Sequence, residues 1–166
     1  MFSVLFPGQG SQSVGMAKDL YDNFDYIKDL FNEADDALDT SISKMIFEGP
    51  KELLNKTENT QPAIFLVSYA IFNIIKKETS FDISKANFFA GHSLGEYSAL
   101  SCSQVIKFED TIKLLKIRGN AMQNAVPKKE GGMVAVLGEN INKLQEIIKK
   151  NINNFQCFLA NDNSNG

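Results

Sequence analysis

The hydrophobic positions of the chain change period several times, and each change marks an element. Ser3 to Phe6 is a short apolar run stopped by Pro7-Gly8, which reads as a buried strand. From Met16 to Asp39, Leu20, Phe24, Ile27, Leu30, Phe31 and Ala34 recur on or near one helical face, so these side chains belong to a core. Ile42 to Phe47 and Pro50 to Asn55 are shorter helical pieces broken at Gly49-Pro50. Thr60-Gln61-Pro62 opens a helix that runs to about Lys77, with Thr60 as N-cap and Pro62 in the first turn. That helix is apolar nearly all round, as one buried against a sheet would be. After the polar connection Glu78 to Lys85, the apolar run Phe88-Phe89-Ala90 leads through a sharp turn into a helix from Glu96 to about Ser103. Lys107 to Gln123 is the next helix, with Ile112, Leu114, Leu115 and Ile117 for the core.

Beyond this the pattern changes. Val126-Pro127 and the charged Lys128-Lys129-Glu130 read as a hinge. Met133 to Leu137 is a predicted strand, Ile141 to Ile152 an amphipathic helix, and Phe155 to Ala160 a second strand. A strand–helix–strand unit is marginal alone. The polar turn from Asn161 to Gly166 therefore looks like an interruption. Two domains are expected, residues 1–125 and 126–166.

Composition narrows the function. The chain has 166 residues, 43% of them hydrophobic, which is enough for a packed core. A net charge of −3 and the lack of a dense basic cluster argue against nucleic acid or an anionic membrane as partner. The amino terminus has neither the charged start nor the long apolar run of a secretion signal, and no stretch is long enough to span a bilayer. Cys102 and Cys157 are far apart, as expected of reduced thiols in a cytoplasmic protein. With one histidine and no ligand cluster, no metal is expected. Gly8-Gln9-Gly10-Ser11-Gln12-Ser13 approaches a dinucleotide loop but has Ser13 at the third glycine position, so no nucleotide cofactor is expected. A glycine-rich turn at a strand end can instead bring Gln9 and backbone amides against a ligand.

The chemistry concentrates in Gly91-His92-Ser93-Leu94-Gly95. Strand, G-x-S-x-G and helix, in that order, are the context of a nucleophile elbow. The serine of such a turn is strained, and its neighbours pass too close for Cβ atoms, which explains Gly91 and Gly95. Ser93 would stand at a helix amino end, where the helix dipole favours negative charge and the Leu94 N–H can point at an oxyanion. The same pattern also occurs by chance in ordinary turns. Arg118 is the second candidate. It is the only arginine beside 16 lysines, which suggests a place where a planar fork matters, such as two parallel bonds to a carboxylate. A surface salt bridge or a helix-end charge is the alternative.

These motifs, in this order, resemble the amino-terminal part of the malonyl-CoA:acyl carrier protein transacylases of bacterial fatty-acid synthesis. The likeness runs from Phe6-Pro7-Gly8-Gln9-Gly10-Ser11-Gln12 through Thr60-Gln61-Pro62-Ala63 and Gly91 to Tyr97. It continues through Arg118-Gly119 and Met122-Gln123 to the segment from Asn161 to Gly166. The resemblance implies an α/β fold: an α/β-hydrolase-like core with a nucleophile elbow, incomplete here, plus the first half of a small ferredoxin-like subdomain. It implies Ser93 as nucleophile, the amides of Gln9 and Leu94 as oxyanion hole, Arg118 as clamp for the malonyl carboxylate, and Asn163 near the site. Malonyl-CoA and acyl carrier protein would be the partners, and the complete protein a monomer. Lys128 and Lys129 would be candidates for contact with an acidic carrier, though a solvated charge run explains them equally.

One departure stands out. The family's general base is a histidine well downstream of the serine, and this chain has only His92. Adjacent to the nucleophile, His92 should point away from the hydroxyl and serve as a structural or pocket-wall residue. Besides a portion of a complete transferase, three alternatives remain: a short chain that binds acyl-CoA or carrier protein without turnover, a serine hydrolase or thioesterase on the same elbow, and a nucleotide-binding module on the glycine loop.

Overall fold

The computed structural model describes residues 1–125, 130–151, 153–154 and 156–163. The expected hinge residues Val126 to Lys129, together with Ile152, Phe155 and residues 164–166, lie outside them. The chain divides into two compact units, Met1–Pro127 and Lys128–Gly166.

The first unit is a mixed α/β fold, mostly helical with a small parallel sheet. Its order is β1 (Ser3–Phe6), α1 (Lys18–Asn23), α2 (Asp25–Leu38), α3 (Ile42–Glu48), α4 (Lys51–Leu54), α5 (Thr57–Glu78), a short 3₁₀ turn, β2 (Phe88–Gly91), α6 (Leu94–Cys102) and α7 (Phe108–Asn124). The expected helix from Met16 is interrupted at Phe24, whose backbone is extended (φ −129°, ψ 111°), so α1 and α2 are separate helices. The long helix starts at Thr57, a turn earlier than its sequence suggests. Thr60 is therefore not its N-cap: it lies inside the helix, with its hydroxyl donating to the Leu54 carbonyl at 2.6 Å.

α5 is the axis of the core. Ala63 to Leu66 and Ala70 pack with Ile27, Phe31 and Ala34 of α2, Ile42 and Ile46 of α3, Leu94 of α6, and Phe108, Ile112 and Leu115 of α7. Of the core residues expected on α7, Leu114 and Ile117 are instead 40% and 65% exposed. The buried positions Phe108, Thr111, Ile112, Leu115 and Gly119 form one stripe at helical spacing, and Leu114 and Ile117 fall outside it.

The two strands pair in parallel with Phe6 opposite Gly91, so their carboxyl ends lie side by side. Among the described residues of the first unit, the sheet is covered on one face only. Phe6 stacks with Phe89, meets Phe72 at a tilt, and forms a small cluster with Phe72, Ile83, Ala99 and Cys102. The expectation of a buried β1 holds for Phe6 alone, because side chains alternate between faces: Leu5 is 75% exposed, and Phe88 opposite the start of β1 is 68% exposed.

In the second unit, α8 (Ile141–Asn151) forms as expected. The two flanking strands do not form among the described residues. A strand needs a backbone partner for its ladder, and Met133, Val134, Leu137 and Phe158 are 78–88% exposed.

Candidate active site

The turn after β2 is built by close backbone approach. Ser93 precedes α6 with φ 56° and ψ −112°, a conformation that costs an L-residue about 1–3 kcal/mol. Its surroundings impose it. A Cβ on Gly91 would stand 2.0 Å from the carbonyl of Gly95, and one on Gly95 would stand 2.5 Å from the Phe6 oxygen. Only glycine at both places lets strand, turn and helix close on one another and on the end of β1. The His92 N–H donates to the Phe6 carbonyl at 3.3 Å, and the Gly95 N–H donates to the His92 carbonyl at 2.9 Å. Ser93 itself is exposed. Leu94, fully buried through its side chain, opens α6, whose first-turn N–H groups have no acceptor within the helix.

The loop after β1 lies next to this turn because of the strand register. It is fixed by its own polar groups: the Ser11 hydroxyl donates to the Gly8 carbonyl at 2.9 Å, and the Gly10 N–H donates to Gln12 Oε1 at 2.8 Å. Gln12 Nε2 reaches Asn55 at 2.9 Å, and Gln9 Nε2 reaches the Thr57 hydroxyl at a long 3.5 Å. The His92 ring packs onto this loop, since a Cβ on Gly8 would meet its Nδ1 at 2.8 Å.

Arg118, from α7, completes the cluster. One terminal nitrogen donates to Ser93 Oγ at 3.1 Å, and the other donates to Gln61 Oε1 at 2.7 Å. Its guanidinium carbon lies 5.6 Å from the centre of the Tyr97 ring, within cation–π range. α7 comes this close to α5 because Gly119 has no side chain: a Cβ there would stand 2.6 Å from Glu58 Cα. Among the described residues Arg118 makes no ion pair, so its charge remains open to a ligand.

The structure thus brings Ser93, Leu94, the Gln9 loop and Arg118 together within the first unit. Asn163 belongs to the second unit, where it is exposed. Lys128 and Lys129 lie outside the described residues. Gln61 and Tyr97 lie in motifs that carry the resemblance, but the sequence alone gives neither a role at the site. The available signal for Gln61 was a polar side chain inside an otherwise apolar helix. A guanidinium stays protonated and only donates, so Arg118 can favour an alkoxide at Ser93 but cannot take its proton.

A family model described as the acyl transferase domain matches residues 4–163. The chain belongs to the acyl transferase domain family. Within that family it is 47% identical over 137 residues to a malonyl CoA-acyl carrier protein transacylase of Haemophilus influenzae, covering 82% of this chain and 43% of that protein. It is 44% identical over 146 residues to the protein of the same name from Bacillus subtilis strain 168, covering 88% and 45%. The crystal structure of an acyl-carrier-protein-S-malonyltransferase from Bartonella henselae superimposes with a TM-score of 0.92 at 44% identity, covering 98% of this chain and 52% of that one. A malonyl-transacylase solved in complex with a type II PKS acyl-carrier protein gives a TM-score of 0.83 at 40% identity, covering 90% and 47%. This acyl transferase domain therefore spans less than half the length of these two curated relatives.

Proposed function

We propose that the chain is the amino-terminal part of a malonyl-CoA:acyl carrier protein transacylase, in which Ser93 carries the malonyl group as an ester. The observation that supports this most directly is the 3.1 Å approach of Arg118 to Ser93 Oγ. A carboxylate-binding fork stands beside a strained serine at a helix amino end, which suits an acyl group with a carboxylate at its far end.

In this reading Ser93 Oγ attacks the thioester carbonyl carbon. The carbonyl electrons move onto oxygen, which the Gln9 and Leu94 amides hold. The C–S bond then breaks, and coenzyme A leaves as its thiol with the proton taken from Ser93. Next, the pantetheine thiol of the carrier protein attacks the malonyl-serine carbonyl, and Ser93 Oγ leaves and regains a proton. Arg118 binds the malonyl carboxylate throughout. The proton carrier follows from the family resemblance: a histidine downstream of the serine, beyond the positions present here. Residues 1–125 would be the α/β-hydrolase-like core and 126–166 the start of a ferredoxin-like subdomain. The exposed apolar run Met133–Leu137 supports the latter, as a segment in need of a strand partner. Asn163 would approach the site, and the enzyme would work in the cytoplasm.

The test uses the polypeptide as its native coding sequence makes it. After incubation with malonyl-CoA, its intact mass should rise by one malonyl group, mapped to the peptide containing Ser93, and holo-carrier protein should remove the label. A label that persists in Ser93→Ala would overturn the assignment. Fast release of the label to water without carrier would show a hydrolase.

A further inference from the structure

Gln61 is 1% exposed, in the tightly packed first third of α5. A buried amide must have its hydrogen bonds met or it destabilises the fold. Both ends of this one are met by the same face of α7: Oε1 accepts from Arg118 at 2.7 Å, and Nε2 faces the Met122 sulfur at 3.2 Å. A thioether is a weak acceptor, so the bond to Arg118 is the one that orients the amide. By the same bond the amide orients the guanidinium. Arg118 is thereby held at one terminal nitrogen by Gln61, over its face by Tyr97, and at the other nitrogen by Ser93.

The choice of an amide has a chemical consequence. A carboxylate at this place would hold the fork just as firmly but would neutralise it, and would compete with any acyl carboxylate for the same N–H groups. A neutral oxygen fixes the angle and leaves the charge unspent. We propose that Gln61 is a positioning residue that sets the roll of the Arg118 guanidinium, and that preference for acyl groups ending in a carboxylate depends on it. This rests on the reading of Arg118 as the acyl-carboxylate clamp.

The experiment offers the natural full-length polypeptide equal concentrations of malonyl-CoA and acetyl-CoA, and reads the ratio of malonyl to acetyl ester on the Ser93 peptide. KM and kcat for malonyl-CoA are measured in parallel. Loss of one oriented charge-assisted bond corresponds to a fall of about tenfold or more. Gln61→Met, which removes the acceptor and keeps the length, is expected to lower the ratio by about that factor through KM. Gln61→Glu, close in shape, is expected to lower it further, and it serves as the test if the methionine variant does not fold. A fall in kcat or thermal stability with the ratio unchanged in the Glu variant would make Gln61 a packing residue only and overturn the proposal. Arg118→Ala separates the two levels. If it abolishes the malonyl preference while both Gln61 variants keep it, the clamp stands and the proposal fails. If Arg118→Ala itself leaves the ratio unchanged, or the unaltered protein takes no label, the reading beneath it fails.

Discussion

Ser93 holds a backbone conformation that glycine tolerates and serine does not, so its side chain is retained against the interest of the fold. Ser93→Gly should raise unfolding stability by roughly 1 kcal/mol relative to Ser93→Ala, after allowing for the greater freedom of glycine in the unfolded chain. Paired urea titrations measure this, and both variants should lose acylation. The two cysteines make a second contrast. Burial pushes the Cys102 thiol from its ordinary value near 9.0 up to about 12, whereas Cys157 is exposed. Iodoacetamide at neutral pH should modify Cys157 and spare Cys102 until the chain unfolds. The same shift makes stability pH-dependent. The folded state keeps a proton that the unfolded chain releases, so the Cys102 contribution is whole below about pH 9 and declines as pH rises towards about 12. Cys102→Ala should flatten that part of the stability–pH curve. At this scale the sequence is informative where a residue type is unusual for its setting. Ser93 lies between two glycines, and Arg118 is a lone arginine. Gln61 lies within a motif but has no role legible there, because that role arises only when α5 meets α7.

Among elements, the decisive contacts are backbone against backbone. Gly95→Ala would force a methyl group to 2.5 Å from the Phe6 carbonyl and push α6 away from β1. An expected loss of roughly 1–3 kcal/mol, as for overpacked cores, should appear in denaturant titration together with a loss of Ser93 acylation out of proportion to the unfolded fraction. The elbow was legible because all of its determinants lie within one short stretch. Helix boundaries were less so. Thr60 has the chemistry of an N-cap, yet its hydroxyl serves the Leu54 carbonyl inside a helix that begins at Thr57. Leu114 and Ile117 are apolar, but one helix face can be buried against α5 and α2, and Phe108, Ile112 and Leu115 occupy it. Periodicity identifies stripes; it does not say which of two stripes meets a neighbour.

For the first unit as a whole, the uncovered face of the sheet is the conspicuous property. Parallel strands are ordinarily covered on both faces, and here Leu5 and Phe88 are left open on one of them. A separate apolar cavity of about 390 Å³ lies between β1 and α5, on the side of the sheet where Phe6 meets Phe72, and is lined by Val4, Phe6, Ile64, Val67, Ile71 and Phe72. The 166-residue chain should therefore bind a hydrophobic dye in its folded state, and Leu5→Thr with Phe88→Thr should reduce the signal.

The strand register carries a kinetic consequence. Ser3 pairs with Phe88, so the sheet joins the start of the chain to a segment past its middle, with α5 between them. Closing so long a loop is entropically costly before its contacts form, whereas helices α2, α5 and α7 can develop from local contacts. The strain at Ser93 exists only once β2 and α6 have closed on β1. Reactivity of the serine would thus appear only after that long-range closure, and the time course of its acylation during refolding would report it.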